Sequence, residues 1–145
     1  MAIKIRQLTV GDTESLFALF DAVLPGFSGS LLDAAGPGSF LVHPASFVFG
    51  AYVDVEPAGL AWGMQMRYPN GRRVTYLHEL DVREEFRRRH ITTALIEDSM
   101  TLARQRGSTR FWLSTGGHNE VAQSVYAALD SVRKPLGDVN YCWDL

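Results

Sequence analysis

The amino-acid sequence predicts one α/β domain of the α+β kind over residues 1–145, with a mixed, mostly antiparallel sheet flanked by helices in the order β-α-(α)-βββ-α-β-α-ββ. Three observations carry this. Apolar residues alternate with period two at the N-terminus and through 46–82; the period turns helical near residue 90; and Asn70-Gly71 stands where a tight hairpin has to close. With 145 residues, 46% of them hydrophobic and 21% charged, the chain is sized and composed for a single packed core.

Each element has its own signal. Ile3, Ile5 and Gln7-Leu8 alternate as a strand, and Thr9 or Asp12 is placed to cap a helix whose apolar face holds Leu16, Phe17, Leu19, Phe20 and Val23. Pro25-Gly26, Gly29, Gly36-Pro37-Gly38 and Pro44 break the stretch 25–46, read as a loop with one short helix. Ser46 to Val53, residues 58–68 and Arg73 to Val82 are rich in aromatic, β-branched and alternating apolar residues, which predicts three sequential antiparallel strands. From about residue 90, Ile91, Ala94, Leu95, Met100 beside Ser99, Leu102 and Ala103 form a helical stripe that stops at Gly107. Arg110 to Ser114 reads as a short buried strand. Val121, Ala122, Val125, Tyr126 and Leu129 make a second helical stripe, and Val132 to Leu136 with Val139 to Leu145 predict a terminal hairpin about Gly137-Asp138.

Composition excludes several classes of function. A formal charge of −2 gives no global positive field to gather nucleic acid or an anionic membrane. Cys142 is the only cysteine, so there is no intrachain disulfide and no thiolate-rich metal site, and no metal is expected; its place between Tyr141 and Trp143 reads as a structural thiol. The N-terminus lacks the pattern of a signal peptide, and no apolar run reaches the length of a membrane span. The expected location is the cytoplasm. A terminal edge strand offers a surface for pairing with a second copy, so a homodimer is an expected assembly.

One segment carries chemistry. Leu80-Asp81-Val82-Arg83-Glu84-Glu85-Phe86-Arg87-Arg88-Arg89-His90-Ile91-Thr92-Thr93-Ala94-Leu95 runs from a strand through a basic turn straight into a helix. Such a turn brings free backbone N–H groups, the positive end of a helix dipole and fixed cations to one point, which suits a pyrophosphate. The bland alternative for Arg87, Arg88 and Arg89 is a solvated surface, yet cations at a helix N-terminus oppose its dipole.

This run resembles the acyl-CoA signature of the GNAT acyltransferases: a basic or Gln residue, two of any kind, Gly, any residue, then Gly or Ala. Together with Leu80-Asp81-Val82 it is similar to the aminoglycoside 3-N-acetyltransferase branch. His90 and Thr92 stand where the signature has glycines, which allow close approach of a diphosphate. The resemblance implies acetyl-CoA as co-substrate. The pantetheine arm would lie along Leu80, Asp81 and Val82, and the pyrophosphate against Arg87, Arg88, Arg89, His90, Ile91, Thr92 and Thr93. It implies direct acetyl transfer to an amine acceptor, a small molecule of the aminoglycoside kind or a peptide. A member that binds CoA without catalysis is the alternative.

Removing a proton from an ammonium group needs a base. Glu79, one residue before the pantetheine segment, is the expected one, with a salt bridge to Arg72 or Arg73 as its structural alternative. His78 takes that role if the strand register shifts by one, since regular alternation points it to the other face. Asn119-x2-Ala122-x3-Tyr126 resembles the family's second signature helix, which implies that Asn119 contacts the arm and Tyr126 protonates the leaving sulfur. The alternative for Tyr126 is a core aromatic. Asp21, Asp33 and Glu14 near the long loop are candidates for an acidic wall facing a cationic acceptor.

Overall fold

A computed structural model describes residues 2–131 and 141–145 of the chain, which divides into two units, Met1–Ser114 and Thr115–Leu145. In the first unit, β1 (Ile3–Leu8), β2 (Ser46–Val53), β3 (Glu56–Arg67), β4 (Arg73–Val82) and β5 (Arg110–Trp112) form one five-stranded sheet in chain order. The first three pairings are antiparallel; β4 and β5 pair in parallel. Every β2 residue except Tyr52 is buried, so both faces of this strand are covered, whereas β1 buries only Leu8 and forms the edge. The hairpin between β3 and β4 closes as Asn70-Gly71 predicts, with Gly71 at φ 87° and its N–H bonded to the Tyr68 carbonyl at 2.9 Å.

Two helices precede β2. In α1 (Thr13–Val23), Leu16, Leu19, Phe20 and Val23 fall on one face and pack with Leu8, Val48 and Leu60. Asp12 holds the N-cap position, but its carboxylate turns back to the Thr9 N–H (2.8 Å) and Arg6 (2.6 Å). The short helix expected in the loop is α2 (Gly36–Val42). It starts on the Gly-Pro-Gly run that reads as punctuation, because a proline in the first turn lacks only an N–H that no helix start uses.

α3 (Ile91–Gln105) buries Ile91, Leu95, Ile96, Ser99 and Ala103, a stripe close to the predicted one. Its end is fixed by polar contacts. Gln65 Nε2 donates to the Arg106 carbonyl (3.0 Å) and to Ser108 Oγ (2.9 Å), while the Arg106 guanidinium donates to the Ser46 carbonyl at 2.7 Å. Burial lowers the pKa of Arg106 from its ordinary value.

The second unit contains α4 (Glu120–Ala128). Its apolar stripe was expected to be buried, yet no α4 residue is; Val121 is 79% exposed and Tyr126 half-buried. So short a unit has too little apolar surface to make a core of its own. Most of the expected terminal hairpin, residues 132–140, lies outside the described residues, and 141–145 carry no regular element. Cys142, expected as a structural thiol, is exposed, as are Tyr141 and Trp143. Among the described residues no helix is long and apolar enough to cross a membrane.

Candidate active site

The site begins where a strand ladder stops. β4 pairs with β5 only from Val74 opposite Arg110 to Tyr76 opposite Trp112. Among the described residues, the remainder of β4 has no strand partner on that side. Toward β3, the Arg83 N–H bonds the Ala58 carbonyl at 2.8 Å, and antiparallel pairs alternate, so the main-chain groups of Leu80 and Val82 face the open edge. The Val82 carbonyl there accepts from Arg87 Nε at 3.1 Å. Asp81, between them, is turned toward β3 by the same alternation.

After β4 the chain makes a tight turn, Glu84–Phe86, and enters α3. Phe86 is buried and lies under two guanidinium groups, Arg83 at 5.2 Å and Arg89 at 5.3 Å from the ring centroid. Arg83 is ion-paired with Glu56 and Glu85. Arg88 and His90 take left-handed conformations, φ 62° and 60°. At His90 this is the shape that a signature glycine would adopt freely, now held by a residue with a Cβ. Among the described residues no side chain caps α3, its first turn holds no acid, and the first bond to His90 is the Ala94 N–H at 3.1 Å. The N–H groups of Ile91, Thr92 and Thr93 are therefore open, although the Ile91 side chain is core.

Glu79 faces Trp62 across the ladder, and Trp62 Nε1 donates to its Oε1 at 2.8 Å. Among the described residues Glu79 forms no ion pair with Arg72 or Arg73; Arg73 donates to the Arg106 carbonyl instead. A β-bulge shifts the register between Trp62 and Gly63, so that Trp62 opposes Glu79 while Gly63 opposes Leu77, leaving His78 as the extra residue. Its ring stacks on Trp62 at 4.6 Å, and the regular alternation that would send His78 away from Glu79 does not hold. Glycine is required at 63, because a Cβ there would lie 2.0 Å from the Tyr76 carbonyl oxygen. Trp62 and Gly63 were not singled out by the sequence as site residues. Their only signal was an aromatic residue beside a glycine in a strand pattern, a mark of bulges.

In the second unit, Asn119 is the N-cap of α4, its Oδ1 accepting from the Ala122 N–H at 3.1 Å. Tyr126 sits two turns on, and partial burial raises its phenol above the ordinary tyrosine pKa. Of the acids near the long loop, Asp21 accepts from the N–H (2.8 Å) and hydroxyl of Ser28, and these bonds lower its pKa. Asp33 accepts from the Ala35 N–H at 2.9 Å. Both carboxylates thus serve local turns. Among the described residues no cluster of His, Cys, Asp and Glu is arranged to hold a metal.

A mixed sheet whose free strand edge leads into an uncapped, arginine-flanked helix start is the framework of an acyltransferase fold. Over residues 14–130 the sequence matches the Acetyltransferase (GNAT) family, and the chain belongs to that family. No curated protein matches it significantly in sequence. Among solved structures it is similar to an aminoglycoside acetyltransferase from an uncultured soil metagenomic sample (TM-score 0.87, 22% identity, 99% of this chain and 100% of that one). A second soil metagenomic aminoglycoside acetyltransferase, in complex with sisomicin, gives a TM-score of 0.85 at 16% identity, covering 98% of this chain and 97% of that one. The structure of AAC(6')-Iy with the bisubstrate analog CoA-S-monomethyl-acetylneamine gives 0.76 at 23% identity, covering 98% and 100%.

Proposed function

We propose that residues 1–145 form one N-acetyltransferase domain that passes the acetyl group of acetyl-CoA directly to a primary amine of a small, aminoglycoside-like molecule. The free edge of β4 running into the uncapped start of α3 carries this reading. Extended chains add to such edges through main-chain hydrogen bonds, and anions settle at open helix N-termini. The main-chain groups of Leu80 and Val82, on either side of Asp81, would hold the pantetheine arm, with Asn119 as a further contact. Arg87, Arg88 and Arg89 and the main chain of His90, Ile91, Thr92 and Thr93 would hold the pyrophosphate. The residues fit the group: the N–H groups are open, the side chains are cationic, and the left-handed turn forms without glycine.

Acetyl-CoA supplies the activated thioester. Glu79 Oε2 takes a proton from the acceptor ammonium, directly or through water, and an N–H near Leu80 donates to the oxygen that gains charge. Tyr126 Oη holds its proton through neutral pH, since burial raises its pKa above about 10, and can deliver it to the departing sulfur. The aminoglycoside partners of the similar structures support a polyamine-like acceptor.

The test combines calorimetry with acetyl-CoA and thiol release in the presence of sisomicin, spermidine and an alanyl peptide. Fastest turnover on sisomicin supports the reading, and fastest turnover on the peptide moves the acceptor to a protein N-terminus. Absence of acetyl-CoA binding refutes it. His90 and Thr92 in place of glycines favour a second reading, binding without catalysis, which predicts acetyl-CoA binding and no turnover on any of the three amines.

A further inference from the structure

We propose that Trp62 is a positioning residue for the base, acting through Glu79 and resting on the assignment of Glu79 as that base. A glutamate has three rotatable side-chain bonds, and a base must present one oxygen at a fixed place. Here one oxygen is held. Trp62 Nε1 donates to Oε1 at 2.8 Å, and an indole N–H can only donate, so it orients the carboxylate without competing for the acceptor's proton. Oε2 has no partner among the described residues and stays open for the ammonium.

The indole is itself immobilised from two sides. The edge of Phe40 in α2 meets it at 5.5 Å and 87°, and the His78 ring stacks on it at 4.6 Å. The bulge makes this possible, because it brings Glu79 opposite Trp62 and turns His78 onto the same ring. Gly63 permits the bulge by leaving the Tyr76 carbonyl unobstructed. Phe40, Trp62, Gly63 and His78 thus form a single holder for one carboxylate oxygen.

The test is a double-mutant cycle of Trp62→Phe and Glu79→Ala, assayed on whichever of sisomicin, spermidine and the alanyl peptide turns over fastest. Phe keeps a ring against Phe40 and His78 but removes the N–H. Trp62→Phe is expected to lower kcat about 10-fold and leave the KM for acetyl-CoA within about twofold, while Glu79→Ala lowers kcat about 100-fold. The double variant should be no slower than Glu79→Ala alone, since the two residues act as one device. If Trp62→Phe fails to fold, incorporation of benzothienylalanine at position 62 removes the N–H while keeping the ring shape. A wild-type rate in the Trp62 variant beside a slow Glu79 variant overturns the positioning role, as do multiplicative losses in the double variant. A wild-type rate in Glu79→Ala, or no turnover on any of the three amines, overturns the assignment beneath it.

Discussion

The starts of α3 and α4 are opposite solutions to one problem. Every helix begins with N–H groups that have no partner within it. At α4, Asn119 accepts from the Ala122 N–H and Glu120 adds negative charge to the first turn. At α3, nothing caps the helix, no acid occupies its first turn, a histidine holds a left-handed backbone and arginines precede it. Both N-cap and dipole rules favour the α4 design for stability. α1 and α2 also lack a side-chain cap, but only α3 combines an open first turn with a run of arginines before it, and such a start is open to an anion from outside. Under the proposed function the contrast divides the labour: α3 would receive the co-substrate, and α4 would hold a proton on Tyr126.

The sharpest test of that division is Tyr126→Phe, expected to lower kcat about 100-fold while acetyl-CoA affinity by calorimetry stays within about twofold. Because burial raises the Tyr126 pKa, the alkaline limb that it sets in the wild-type rate profile should lie above that of an ordinary tyrosine. An affinity loss as large as the rate loss would place Tyr126 in binding. Next in size, Arg87→Ala should weaken acetyl-CoA about 10-fold, since it removes one charge-assisted donor and the clasp on the Val82 carbonyl. An unchanged Kd would return the arginine run to plain surface.

Smaller effects separate capping from binding. Asn119→Ala should destabilise α4 by about 1 kcal/mol, read by thermal unfolding, as any lost N-cap does. A loss of acetyl-CoA affinity beyond about threefold would show that Asn119 serves the co-substrate as well. His90→Gly should have the slightest effect. Relief of a left-handed residue is worth about 1–2 kcal/mol, and the added chain freedom of glycine takes back about 0.5–1, so stability should rise by less than about 1.5 kcal/mol. Affinity for acetyl-CoA should rise with it, as the backbone becomes easier to approach. A fall in both would mean that the His90 side chain itself holds the turn.

Much of the fold could be read in advance because its signals are local. The aromatic and β-branched content of β2, the Asn70-Gly71 turn and the stripe from Ile91 to Ala103 are properties of short windows, and the strands at Ser46–Val53 and Arg73–Val82 follow the expected bounds. The family signature was equally local, a turn and a helix start within one stretch of chain. Register across strands was not legible. His78 was placed away from Glu79 only for a regular strand, and a bulge interrupts that strand. A core role for the α4 stripe, the alternative for Tyr126, could not be decided in advance, because periodicity marks an apolar face without showing what covers it.

The sequence by itself determined the element order, the mixed sheet and the basic turn before α3, since side-chain period and backbone propensity act between near neighbours. Only the tertiary structure decided that β5 pairs with β4 for three residues and then stops, leaving an edge without a strand partner among the described residues. It also decided that Gly63 lets the strand bulge and that Trp62 meets Glu79. Those features join residues far apart in the chain. They depend on strand register, which is set by how the whole sheet packs rather than by any one segment.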